Sequence, residues 1–365
     1  MNLAIFGAKG YALGVYEAIK SLYPKRIVSF FIVSSLSGNS NVLGGVPVRE
    51  LSAIAKELSY NEKQSLEIII ATPENIQAEI EESLENSGFH HYIRLNSERW
   101  NELMKMFHIR LNRFLPLSAL PVGYNKPFVR LFMAKSHMDS PLNEQPMLKD
   151  FIYPLQVGAS NAVSKIAVFT DNNGESISSK NSNYCELTGL YWIWKNKLCV
   201  DCNNKVDYDC GQYYGLNQYR RMLEFSEDDL LRLCDNDVDV VLPYPMPYEP
   251  NINAHHQRYL KDIDWKAMLA ALREIRPEYA EYFPEVLKQK YLYNYNVILA
   301  KKAVLRDYCE WLFPILEYVE ELSVPKGNER SDRYIGYMGE TLETLYFMKN
   351  ADKLNIVHTG CKLYS

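Results

Sequence analysis

Residues 181–221 hold the chain's densest chemistry. Residues 181–196 read NSNYCELTGLYWIWKN, and after a polar insertion residues 213–221 read YYGLNQYRR. Tyr184, Glu186, Tyr191, Trp192, Trp194, Lys195, Tyr219, Arg220 and Arg221 thus fall within about forty residues. A core helix has no need of that mixture. Aromatic faces beside fixed cations and a carboxylate suit a ligand with a flat ring, a polyhydroxyl part and phosphates. A nucleotide sugar is such a ligand.

Transfer of a sugar from a diphosphate handle would need three things: neutralisation of the leaving group, exposure of the anomeric carbon, and removal of a proton from an acceptor hydroxyl. Arg220 and Arg221, preceded by Tyr219, are the choice for the diphosphate, because guanidinium forks bind phosphate oxygens in pairs. The competing reading is a surface pair balancing Glu224 and Asp228. Lys180 and Asn181 stand at the expected start of a helix carrying Glu186, Tyr191 and Lys195, where a helix dipole and a point charge favour an anion. On that helix the spacing of Tyr184, Thr188 and Tyr191 predicts one shared face. The Trp residues fit plain core packing as well. Glu340, in a glycine-bearing stretch expected to enter a helix, is the choice for the general base. A charge complementing the helix dipole is its alternative. Asn296, in the strand-like run YNVILAKK, is positioned to orient a sugar.

Metal sites have weaker support. Asp171 and Glu175 flank Gly174 in an expected loop and could hold Mn²⁺ or Mg²⁺, or simply be solvated. Asp235, Asp237 and Asp239 mimic an Asp-x-Asp metal motif, but their place before an apolar strand predicts a turn. Cys199, Cys202 and Cys210 have zinc-like spacing without an evident fourth ligand. His358 is alone, and His255 and His256 receive no role.

The elements that would position these groups begin with alternating strand and helix patterns over residues 2–96. Short buried strands separated by helices predict a parallel sheet covered on both faces. Gly7, Gly10 and Gly14 form a variant of the dinucleotide fingerprint, but the second strand ends Val33-Ser34-Ser35, without the carboxylate that would hold a ribose. A scaffold used for packing is the alternative. Three prolines and a glycine in residues 114–127 place a boundary there. The predicted class is α/β, with a Rossmann-like parallel-sheet domain over residues 1–118 and a nucleotide-sugar-binding α/β domain over residues 119–365.

Motifs in the second part resemble a bacterial family of capsular and exopolysaccharide glycosyltransferases, long catalogued only as a domain of unknown function. YPLQVGAS (153–160), the run from Asp171 to Asn196, GLNQYRR (215–221), YNVILAKK (295–302) and RYIGYMGETLETLY (333–346) follow the family's order. The resemblance implies a GT-A-like fold, a UDP-sugar donor, and donor contacts from Gln156 and Gly158 as well. Where the family has a His before Tyr-Arg-Arg, this chain has Gln218, and where it has an Arg after the late Glu, this chain has Thr341. Imidazole is the better transition-metal ligand, so Gln218 places metal dependence in question. Separately, GNSNVLGGVPV (38–48) is similar to a run in the N-terminal domain of sugar acetyltransferases.

Bulk composition narrows the partners. The 365 residues carry a net charge of −5, which provides no basic surface for nucleic acid. Tyr is abundant at 27, in keeping with sugar contacts or with codon bias alone. Met1 runs directly into an apolar strand, so no signal peptide is expected, and cytoplasmic location with reduced cysteines follows. The expected acceptor is a polysaccharide or lipid-linked oligosaccharide, with peripheral contact at the inner membrane face and self-association as further expectations. Two alternatives stay open: a non-catalytic nucleotide-sugar-binding assembly component, and an NAD-dependent sugar-modifying enzyme using the first domain.

Overall fold

The computed structural model describes residues 3–198, 212–326 and 330–364. The cysteine cluster at 199–210 lies outside them. Two sheets organise the chain. The first contains β1 (Leu3–Phe6), β2 (Val28–Val33), β3 (Val42–Leu43), β4 (Val46–Glu50), β5 (Glu67–Ile70) and β6 (Tyr92–Arg94), in the order β3-β4-β2-β1-β5-β6. All neighbours are parallel except β3 and β4. Helices α1 (Gly10–Leu22), α2 (Leu51–Glu57), α3 (Tyr60–Ser65), α4 (Gln77–Asn86) and α5 (Ser97–Leu111) connect and flank the strands. The fully buried runs LAIF and EIII form its centre, as expected for parallel strands covered on both faces.

The second sheet has nine strands. Its strands are β7 (Phe128–Lys135), β8 (Ile152–Gln156), β9 (Phe169–Thr170), β10 (Gln212–Gln218), β11 (Arg221–Leu223), β12 (Val240–Pro243), β15 (Ile298–Lys301), β16 (Ile356–Thr359) and β17 (Cys361–Leu363). The main order is β16-β12-β15-β10-β7-β8-β9, and β11 bridges β10 to β17. Strands β10, β7, β8 and β9 are parallel, whereas β15 runs against both β10 and β12. A short ladder joins β13 (Met246–Pro247) to β14 (Tyr291–Leu292). Around the sheet lie α6 (Asn181–Tyr184), α7 (Leu187–Ile193), α8 (Glu227–Asp235), α9 (Ile252–His255), α10 (Asp262–Ile275), α11 (Pro277–Lys288), α12 (Lys302–Leu322) and α13 (Tyr334–Lys349). Among the described residues no helix is long and apolar enough to cross a membrane.

The proline-rich link is fastened along the second unit. Leu115 O accepts from His358 N at 2.8 Å, and Arg232 Nε donates to Leu120 O at 2.8 Å. Asp235 accepts from the backbone of Tyr124 and Asn125; it is the last residue of α8 and fastens the link, where the sequence predicts a turn before the strand. The two units share an apolar seam in which Tyr244 and Met246 join the core formed by α1, α5 and the first sheet. Gly10 keeps the seam close, since a Cβ there would lie 3.2 Å from Pro247 O; one on Gly14 would make ordinary contact, 3.6 Å from Pro247 Cγ.

The approach to α13 is held by a buried charge cluster. Arg330 donates in bidentate fashion to Asp264 of α10, at 2.6 Å for each bond, and also reaches Asp332 at 2.7 Å. Its guanidinium lies over Tyr334, and its carbonyl accepts from Asn183 at 2.8 Å. Removing one partner leaves a buried charge poorly compensated. Asp264→Ala is therefore expected to cost about 3–5 kcal/mol in equilibrium unfolding, an effect urea denaturation would read directly.

Candidate active site

A cleft of about 840 Å³ opens at the C-terminal ends of β7, β8 and β10. Parallel α/β sheets bind ligands there, because loops leave the strands and backbone groups become available. Strand β10 turns through Tyr219 and Arg220 into β11, presenting both Arg220 and Arg221 to the cleft. Strand β7 contributes Lys135 and the loop residues Ser136, His137 and Asp139. Arg333, which caps α13 in a left-handed conformation (φ 61°), faces the same space. Asp139 stands in the field of Lys135, Arg220 and Arg333; burial raises its pKa above the usual carboxylate value. The mouth of the cleft is thus a cationic cradle.

A second chamber of about 250 Å³ adjoins it, sharing Cys185, Glu186, Gln218, Tyr295 and Arg333 with the cleft. Its other walls include Tyr248, Tyr259, Asn294, Tyr337 and Glu340. Two buried carboxylates therefore face one small aromatic space. Asn296 Nδ2 donates to Glu186 Oε1 at 2.6 Å, while Asn294 Nδ2 donates to Glu340 Oε2 at 3.3 Å. The turn Asn294-Tyr295-Asn296 carries both amides, with Tyr295 at φ 78° and Asn296 at φ 50°. Gln218 Nε2 holds that turn through Tyr295 O at 2.6 Å.

The pair is electrostatically uneven. Burial, and then the charge of Glu186, push Glu340 up to about 8. Burial also raises Glu186, but Asn296, Arg333 and Gln218 all favour its ionised form. Glu340 thus holds its proton near neutral pH, while the groups around Glu186 oppose the effect of its burial. Cys185, beside them, is pushed up to about 12 by burial first and is an inert thiol.

The structure brings together Gly158, Asn181, Glu186, Tyr219, Arg220 and Arg221 in the cleft, and Glu340 in the chamber. Asn296 lies behind them as a support for Glu186. Gly158, with φ 64°, lets the loop after β8 approach closely; a Cβ there would lie 2.7 Å from Asn181 Oδ1.

Other expected residues stand elsewhere. The helix through residues 181–195 is broken at Cys185 (φ 53°) and widens into a π-turn over Trp194–Leu198. Tyr184 and Tyr191 consequently do not share one continuous face. Tyr191 packs edge-on against Phe313 of α12, and Lys195 lies 3.7 Å from the Trp194 ring centre. Lys180 pairs with Glu320 at 2.6 Å. Lys195→Met is accordingly expected to leave ligand affinity within about twofold of native, as titration calorimetry would show, because Lys195 lines neither the cleft nor the chamber beside it. Gln156 is a loop fastener, donating to Ser164 O and accepting from Ile166 N.

Asp171 and Glu175 do not fit a metal. Asp171 is fully buried, and its carboxylate accepts from Gly158 N, Ala159 N and Ser178 Oγ. Glu175 is exposed and faces Lys195 at 3.9 Å. Among the described residues no group of three His, Cys, Asp or Glu is placed to hold a metal ion. Asp239 bonds Lys301 at 2.8 Å. His358 contacts Tyr293 Oη at 2.8 Å, and burial lowers its pKa to about 3.

Two further placements differ from expectation. Glu340 lies in the second turn of α13, so its stretch is helix and no helix-start charge effect applies. Asn296 precedes β15 in a turn. At the first unit, Gly7 (φ 124°) sits where a Cβ would meet Ala71 O at 2.6 Å, and Gly10 and Gly14 face the protein seam. A pocket of about 430 Å³ remains at Lys9 and Gly10, closed on its far side by Pro247–Pro250 and Arg258.

Sequence reading missed Lys135, Asp139, Arg333 and the chamber's tyrosines. A polar triple at 294–296 inside an apolar run was the one local signal available.

Fold and site together define an α/β protein with a cationic cleft at parallel strand ends and a paired-carboxylate chamber beside it. The chain belongs to the family described as a domain of unknown function, DUF4422, which matches residues 133–351. Among solved structures it is similar to the apo form of WbbM, a bifunctional glycosyltransferase, with TM-score 0.53 and 26% identity. That likeness covers 65% of this chain and 45% of WbbM, so the chain spans less than half of that protein's length. No curated protein matches.

Proposed function

We propose that the protein is a glycosyltransferase that moves a hexose from a UDP-sugar to a hydroxyl of a growing capsular or exopolysaccharide repeat unit. The observation that carries the reading is the joining of a cationic cleft to a carboxylate chamber through shared residues. The likeness to WbbM supports the same class of reaction. Residues 119–365 would form the GT-A-like catalytic unit, with 1–118 beside it.

In this reading Arg220, Arg221 and Arg333 hold the diphosphate, whose charge grows as its bond to the anomeric carbon breaks. The sugar enters the chamber, where tyrosine rings suit its C–H faces. Glu340, once ionised, accepts the acceptor hydroxyl proton while that oxygen bonds to the anomeric carbon. The leaving UDP departs with the bonding pair. Glu186 faces the region where positive charge develops. No step is assigned to a metal. Galactose, as pyranose or furanose, is the first sugar to test, and the acceptor would be a polysaccharide or lipid-linked oligosaccharide at the inner membrane face.

Thermal unfolding with UDP, UDP-galactose or NAD(H), each with and without Mn²⁺, tests this directly. UDP at about 100 times its dissociation constant should add about 2.7 kcal/mol. Stabilisation by NAD(H) alone would instead favour a redox enzyme, and binding without transfer or donor hydrolysis a non-catalytic component.

A further inference from the structure

Arg221 is half-buried, yet it forms no ion pair among the described residues. Its guanidinium stacks 4.2 Å from the centre of the Tyr295 ring, and Nη1 donates to Tyr11 Oη at 2.7 Å. Tyr11 belongs to the other unit, at the start of α1. Its ring meets Trp100 of α5 edge-on at 5.2 Å, so its hydroxyl is held by packing. A half-buried guanidinium without a carboxylate partner keeps donors for an anionic ligand, provided its orientation is fixed from behind. The phenol does this without neutralising the charge, which a carboxylate would do.

We propose that Tyr11 is a positioning residue for Arg221, so that the N-terminal unit forms part of the diphosphate site. The inference rests on the reading of Arg221 as a diphosphate ligand. It explains why the seam is packed so closely at Gly10, the residue before Tyr11: moving α1 away would carry the hydroxyl out of reach.

The test is Tyr11→Phe in the full chain, which keeps the ring against Trp100 and removes only the hydroxyl. Binding of UDP, inorganic pyrophosphate and uridine is measured separately. UDP and pyrophosphate should each bind about tenfold more weakly, with uridine unchanged, since a hydrogen bond to a charged group is lost. A general disturbance of the site would weaken uridine equally, and that result overturns the proposal. So does unchanged affinity for UDP and pyrophosphate. If the native protein binds neither UDP nor pyrophosphate, the diphosphate reading itself fails, and the inference falls with it.

Discussion

Glu340→Gln is expected to lower the turnover number about 10²- to 10⁴-fold, the range of a lost general base, with UDP affinity near native. Gln preserves the volume and an amide capable of bonding Asn294, so the chamber keeps its shape. The native rate should rise with pH, because only ionised Glu340 can take a proton and its pKa stands at about 8. Stability should show the opposite slope. The folded state holds the Glu340 proton more tightly than the unfolded chain does. Between the ordinary carboxylate value and about 8 the folded protein therefore binds more protons, and its stability falls as pH rises. Glu340→Gln should reduce that slope and be more stable than native at pH 8. A mutant with native turnover, or with the native pH–rate profile, removes Glu340 from the base role.

Arg221→Met is the second large expected effect. Each charge-assisted bond to phosphate contributes about 1.5–3 kcal/mol, so loss of one weakens UDP about 10- to 100-fold. The free protein should tolerate the change well, because Met fills the space against Tyr295 and removes a half-buried charge that has no carboxylate partner. Weaker UDP binding with unchanged or increased thermal stability is the combined signature. Isothermal titration and thermal unfolding on one preparation read both. A variant that loses stability and keeps UDP affinity would mark Arg221 as a structural residue.

Much of the site was legible because its groups lie in short, contiguous motifs. Tyr219, Arg220 and Arg221 occupy one tight turn whose strand pattern is plain in residues 212–223. The first sheet was equally plain, since its buried strands are uniform apolar runs. Periodicity failed at Cys185, where a left-handed residue splits the helix and swings Tyr191 toward α12. Nothing local announces such a break in a residue other than glycine. The partners of Asp171 were hidden for another reason: a loop carboxylate bound by backbone N–H groups looks the same in sequence as one awaiting a metal. Arg333 and Tyr11 lie more than 100 residues from the groups they serve, at Cys185 and Arg221, so only the folded chain joins them.

A measured structure of the UDP complex tests the central claim most directly. The account places the diphosphate oxygens within hydrogen-bond distance of Arg221 and at least one of Arg220 and Arg333, with the glycosyl end directed at Glu340. Diphosphate bound instead at Lys9 and Gly10, with these three guanidinium groups turned to solvent, would contradict it.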